Sequence, residues 1–192
     1  MNICVYGAAS NELDKIYEEK TEELGFNMAK RGHSLVFGGG KSGMMGAAAR
    51  GTYKGGGKII AVAPHFFDSL NVYFENATEF ISTDTMRERK QILEDKSEAF
   101  VISPGGIGTF DEFFEILTLK SLGRHTKPIA VYNINGYFNP LYKMLETAVE
   151  ERFMKPEVLE LCPFYDDIDE MLEYIENYKG QVKSVEDMKS VK

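Results

Sequence analysis

The chain has 192 residues, 43% of them hydrophobic, and a formal charge of −8. That length and apolar content suit one compact domain with a substantial core, expected over residues 1–180 and followed by a polar tail at 181–192. The acidic balance, with Lys and Arg dispersed, opposes general attraction to nucleic acid or an anionic membrane surface, so any anionic ligand must be held locally. Met1–Gly7 lacks the basic start and long apolar stretch of a secretory signal, and no segment approaches a membrane span. Cys4 and Cys162 read as buried thiols in a cytoplasmic protein.

In chain order, strand-like runs occur at Ile3–Tyr6, Ser34–Phe37, Lys58–Ala63, Ala99–Ile102 and Pro128–Tyr132, each short and rich in β-branched or aromatic residues. Between the first two, Leu13, Tyr17, Leu24 and Met28 line one face of a helix that Gly32 terminates. Further helices are predicted over Met44–Tyr53, Met86–Lys96, Thr109–Leu122, Phe138–Phe153 and Asp167–Tyr178. Alternating strand and helix gives an α/β fold, a Rossmann-like doubly wound parallel sheet with helices on both faces. In such sheets ligands lie beyond the carboxyl ends of the strands, where the loops Gly7–Ser10, Gly38–Gly46 and Pro104–Thr109 emerge.

The run Pro104-Gly105-Gly106-Ile107-Gly108-Thr109-Phe110-Asp111-Glu112 follows a strand and opens a helix. Glycines allow close backbone approach, and a first helical turn presents unpaired N–H groups and partial positive charge, so the segment suits phosphate. Glu112 then arrives one turn inside the helix, where the sugar of a bound nucleotide would sit. Gly38-Gly39-Gly40-Lys41-Ser42-Gly43 satisfies G-x-G-x-x-G, but after the second strand, and the following strand ends in Pro64 and His65 without an acidic ribose ligand. A P-loop would need glycine where Leu35 stands, and a nucleophile elbow would need glycine where Met44 stands; Ser42 is read as a phosphate or turn residue. His33, His65 and His125 show no metal-ligand spacing, so no metal is expected and each is read as a surface or hydrogen-bonded residue. Met86-Arg87-Glu88-Arg89-Lys90 starts the helix that feeds the strand before Pro104, which brings fixed positive charge beside the glycine loop.

Together, the Gly38-Gly39-Gly40 loop, Met86 with Arg89-Lys90, and Pro104-Gly105-Gly106-x-Gly108-Thr109-x-x-Glu112 resemble the LOG family, the cytokinin-activating nucleotide phosphoribohydrolases. Leu122-Gly123-x-His125-x-Lys127-Pro128 and Asn135-Gly136-Tyr137-Phe138-Asn139 extend the resemblance, which covers about Ile3 to Phe153. It implies a nucleotide-binding domain, no cofactor, and hydrolysis of the N-glycosidic bond of a purine nucleoside 5′-monophosphate, the base being adenine or an N6-prenylated adenine. Arg89 and Glu112 would be catalytic. Lys90, Gly105, Gly106, Ile107, Gly108, Thr109 and Asp111 would line the nucleotide site, with Gly39 and Gly40 of the earlier loop and Thr118 as further binding residues. Arg87 stands where the family often has histidine, and Asp68, Glu75 and Glu79 compete for an upstream acidic position. The resemblance also points to a homodimer, and the bulk of Phe113, Phe114 and Leu117 is read as a candidate subunit face. The rival reading is a non-catalytic nucleotide-binding or carrier protein of the same architecture. A lysine decarboxylase label, also attached to this pattern, finds no pyridoxal-phosphate lysine context here.

Overall fold

The computed structural model describes residues 1–180; the expected tail at 181–192 lies outside the described residues. A single seven-stranded parallel sheet organises the chain, in the order β4-β3-β2-β1-β5-β6-β7. Its strands are β1 (Asn2–Tyr6), β2 (Ser34–Phe37), β3 (Ile59–Pro64), β4 (Glu79–Thr83), β5 (Ala99–Ile102), β6 (Ile129–Tyr132) and β7 (Phe164–Tyr165). The helices are α1 (Lys15–Lys30), α2 (Gly43–Gly55), α3 (Met86–Lys96), α4 (Ile107–Ser121), α5 (Asn139–Glu150) and α6 (Ile168–Asn177). Among the described residues no helix is long and apolar enough to cross a membrane.

Central strands are buried on both faces, which is why they read as continuous apolar runs and not as alternating ones. One core layer joins Val5, Phe37 and Val101 to Leu24 and Met28 of α1, Met44 and Ala48 of α2, and Met171 of α6. The other joins Tyr6, Ile102 and Val131 to Leu93 of α3 and Phe113, Ile116 and Leu117 of α4. Helices therefore cover both faces, as the alternating pattern predicts. β4 and β7 escape that pattern. β4 is an edge strand whose Glu79, Phe80 and Ser82 are exposed, and β7 is only two residues long.

Phe113 and Leu117 are 0% and 4% exposed, so these side chains belong to the chain's own core. This corrects their reading as a subunit face: the bulk of α4 fills the layer against β5 and β6. Cys4 and Cys162 are free and buried, and the three histidines are hydrogen-bonded, His33 to Glu176, His65 to the Thr83 carbonyl and His125 to the Ile116 carbonyl.

The strand order reverses beside β1, whose neighbours are β2 and β5. The loops after β1, β2 and β5 therefore splay apart over one crevice, the usual ligand site of a doubly wound sheet. α1 packs on α2 backbone against backbone: a Cβ on Gly25 would lie 2.2 Å from the Ala48 carbonyl oxygen, and one on Gly51 would lie 1.9 Å from that of Glu22. Gly51→Ala forces the two helices apart, and we expect urea unfolding to show a loss of about 1–3 kcal/mol; an unchanged midpoint would contradict the close crossing.

Candidate functional site

Above the reversal lies a cleft of about 650 Å³. Its floor and walls come from the loops after β1, β2 and β5, from the start of α3 and from the segment between β3 and β4. A separate groove between α1 and α2 shares no residue with it, and the charges there neutralise one another, Arg50 lying 3.1 Å from both Glu18 and Glu22.

α4 opens into the cleft without a side-chain cap. Its N-cap is Gly106, no acidic residue occupies its first turn, and the first intrahelical bond runs from Phe110 N to Gly106 O at 3.0 Å. The amides of Ile107, Gly108 and Thr109 are thus left without intrahelical acceptors at the positive end of the helix, an arrangement that receives an anion. One turn further, about 5.4 Å along the axis, stands Glu112.

Thr85 starts α3 by accepting from Glu88 N at 3.1 Å, while the Glu88 carboxylate accepts from Asp84 N at 2.8 Å. That cap fixes where the helix begins, and hence where Arg89 and Lys90 project one turn later. Arg89 donates from Nη1 to Glu112 Oε1 at 3.1 Å and from Nε to the Val62 carbonyl at 3.2 Å. Both partners of this ion pair are only 8% exposed. The guanidinium abuts the loop after β2: a Cβ on Gly38 would come within 1.9 Å of Arg89 Nη2. Gly38 is therefore a site residue, because any side chain there displaces the cation.

Lys90 lines the same wall, with its ammonium 2.9 Å from Asp111 and 2.9 Å from Glu115. It ties α3 to α4 and neutralises the acidic flank of the cleft. Burial raises the Glu112 carboxyl to about 7; Arg89 works against the shift and Asp111 adds to it. A carboxyl poised near neutrality both accepts and returns a proton under ordinary conditions.

Of the residues predicted from sequence, Arg89, Glu112, Lys90, Gly106, Gly108, Thr109, Asp111 and Gly40 line the cleft. Four do not. Gly39 takes φ +81° and turns its Cα toward Ala63 of β3, and Gly105 is buried under Thr109. Ile107 carries a side chain that is 87% exposed and is absent from the lining. Thr118 is exposed and lies about 9 Å beyond Glu112 along α4. Arg87 and the acidic candidates Asp68, Glu75 and Glu79 also stay outside the lining; Asp68 accepts from Tyr73 and Glu79 pairs with Lys96.

Sequence reasoning missed the apolar wall built by Phe67, Leu70, Val72 and Tyr73 together with Met45 and Met86. A backbone bridge between Gly40 and Tyr73 holds this strap over the cleft, helped by Lys41 N donating to the Val72 carbonyl and Phe74 N to that of Gly39. Among the described residues no group of three or more His, Cys, Asp or Glu side chains is gathered for a metal ion.

The Glu112 shift has a definite consequence for stability. With the folded value near 7 and the unfolded value near 4.5, the folded state holds more protons in between, so the carboxyl's contribution is complete below about pH 4.5 and is lost as pH rises through 7. Glu112→Gln carries no such titration. We expect the stability of this variant relative to the wild type to rise between pH 4.5 and 7 and then level off; parallel curves in urea unfolding would contradict a raised Glu112.

The family model described as "Possible lysine decarboxylase" matches residues 45–175. A probable cytokinin riboside 5′-monophosphate phosphoribohydrolase of Oryza sativa subsp. japonica, LOGL2, is 33% identical over 183 residues, covering 95% of this chain and 75% of its own. The cytokinin riboside 5′-monophosphate phosphoribohydrolase LOG1 of Arabidopsis thaliana is 32% identical over 188 residues, covering 98% and 88%. Among solved structures, the Moco carrier protein of Chlamydomonas reinhardtii superposes with a TM-score of 0.69 at 21% identity, covering 92% of this chain and 96% of that one. DNA processing protein A of Helicobacter pylori does so with a TM-score of 0.58 at 13% identity, covering 93% and 81%. These two likenesses speak for the fold alone. With a family model matching most of the chain, and relatives about one-third identical along nearly all of it, the chain belongs to the LOG family.

Proposed function

We propose that this protein hydrolyses the N-glycosidic bond of a purine nucleoside 5′-monophosphate, releasing free base and ribose 5-phosphate. The observation that carries this reading is the buried Arg89–Glu112 pair, 3.1 Å apart, one helical turn from the open end of α4 in the same cleft. The cleft volume, about 650 Å³, falls in the roughly 300–1,000 Å³ range of small-molecule sites. The names of the plant relatives support the same reaction.

In this reading the 5′-phosphate docks on the amides of Ile107, Gly108 and Thr109, and its binding energy places the ribose over Glu112. As the C1′–N9 bond breaks, its electron pair leaves with the base and positive charge spreads over C1′ and the ring oxygen. The Glu112 carboxylate stabilises that charge and takes a proton from the water whose oxygen bonds to C1′; the departing base gains a proton, so one water is consumed overall. Arg89 keeps its charge throughout. It orients the Glu112 carboxylate and presents fixed donors to the nucleotide. The strap of Phe67, Leu70 and Val72 gives the base an apolar flank, which accommodates a hydrophobic substituent on adenine as readily as adenine itself.

Base release should require the phosphate: AMP is expected to turn over on the order of 100-fold or more faster than adenosine, and equal rates in a chromatographic assay would refute the assignment. Arg89→Ala should lose on the order of 100-fold in turnover. Arg89→Lys should not restore it, because an ammonium cannot reach both Glu112 and the Val62 carbonyl with fixed fork geometry. Leu70→Ser should weaken use of N6-isopentenyl-AMP relative to AMP by about 10-fold if the strap contacts the substituent, whereas an unchanged ratio would place the substituent elsewhere.

A further inference from the structure

The turn between β6 and α5 holds none of the chemistry above, yet one of its side chains reaches the glycine loop. Tyr137 Oη donates to the Gly105 carbonyl at 2.7 Å. The turn is built to present this side chain. Asn133 Oδ1 accepts from Phe138 N at 2.7 Å, Asn133 Nδ2 donates to Asn139 Oδ1 at 2.8 Å, and Asn135 and Gly136 take φ of +52° and +70°. Phe138 is thereby sunk into the core, and the Tyr137 ring packs edge-on against it at 4.9 Å and meets Tyr17 of α1 edge-on at 6.0 Å.

On the loop side, the Gly105–Gly106 peptide is one rigid plane, so the direction of the Gly105 carbonyl fixes the opposed direction of the Gly106 N–H. Glycine loses more freedom on ordering than any other residue, and two in succession leave this plane free to turn unless something holds it. The preceding peptide is held where Ala8 N donates to the Pro104 carbonyl at 3.1 Å. Gly106 itself has no packing support, since a Cβ there would touch nothing within 4 Å. The Tyr137 hydroxyl supplies the missing restraint from a position outside the cleft lining.

We propose that Tyr137 is a positioning residue for anion binding: by holding the Gly105 carbonyl it aims the Gly106 N–H, and with it the open end of α4, at the 5′-phosphate. This rests on the reading of that loop as the phosphate anchor. Tyr137 lies outside the cleft lining, so its effect falls on phosphate affinity and not on the bond-breaking step.

Tyr137→Phe keeps the ring and its contact with Tyr17 and removes only the hydroxyl. With one hydrogen bond lost, the KM for AMP should rise about 3- to 10-fold with kcat nearly unchanged, and the rate with adenosine should not move. A second measurement avoids catalysis altogether: inorganic phosphate should raise the thermal unfolding midpoint of the wild type, and the variant should need about 3- to 10-fold more phosphate for the same rise. If the wild type releases no base from any nucleotide but the two proteins differ in phosphate response, the hydrolase reading fails and the role of Tyr137 stands. Equal phosphate responses, no response in the wild type, or a fall in kcat at unchanged KM would each overturn the role of Tyr137.

Discussion

The buried ion pair between Arg89 and Glu112 is the constraint around which the site is arranged. Taking a guanidinium and a carboxylate out of water is costly, and their attraction offsets this cost only where geometry and further hydrogen bonds are good. Here the geometry is imposed from three sides. The Thr85 cap sets where α3 begins, the Val62 carbonyl receives Arg89 Nε, and the bare backbone at Gly38 leaves room for Arg89 Nη2. Even so the balance is incomplete, because burial outweighs Arg89 and leaves Glu112 near 7. A carboxyl at this value can both accept and release a proton near neutral pH.

Topology explains why these groups meet. The sheet reverses beside β1, so α4 rises from β5 on one side while the loops after β1 and β2 close the other. α2 and α4 both begin at this edge, both lack a side-chain cap bond, and neither has an acidic residue in its first turn. An anionic ligand entering the crevice thus meets open helix ends, although the chain as a whole is acidic. The fold itself is shared with a molybdenum cofactor carrier and a DNA processing protein, so architecture alone does not select a reaction. In the proposed reading, the Arg89–Glu112 pair is what would set this chain apart from a simple binding module.

Much of this was legible in the sequence because buried parallel strands and glycine-opened helices leave strong local marks. The five apolar runs all became strands, and Arg89 and Glu112, the two residues singled out by the family resemblance, lie 3.1 Å apart. The failures have physical causes. β4 lies at the sheet edge with three of its five residues in solvent, so neither alternation nor a continuous apolar run marks it. The strap carrying Phe67, Leu70 and Tyr73 follows neither the period of a strand nor that of a helix, being held by loop-to-loop bonds to Gly39 and Gly40 that only the fold creates. Within the Gly38-Gly39-Gly40 run, pattern cannot tell which glycine faces the cation; the guanidinium rests on Gly38, while Gly39 turns toward β3. Phe113 and Leu117 looked excessive for one helix face because the depth of the layer beneath α4 is a tertiary quantity.

The measurement that tests the central claim most directly is chromatographic detection of free base after incubating AMP and N6-isopentenyl-AMP with the wild type and with Glu112→Gln. Gln preserves size and hydrogen bonding but can neither carry the charge nor take the proton. The account predicts base release by the wild type and a loss on the order of 100-fold or more in the variant. Release at the same rate by both proteins, or no release from either nucleotide by the wild type, would contradict it.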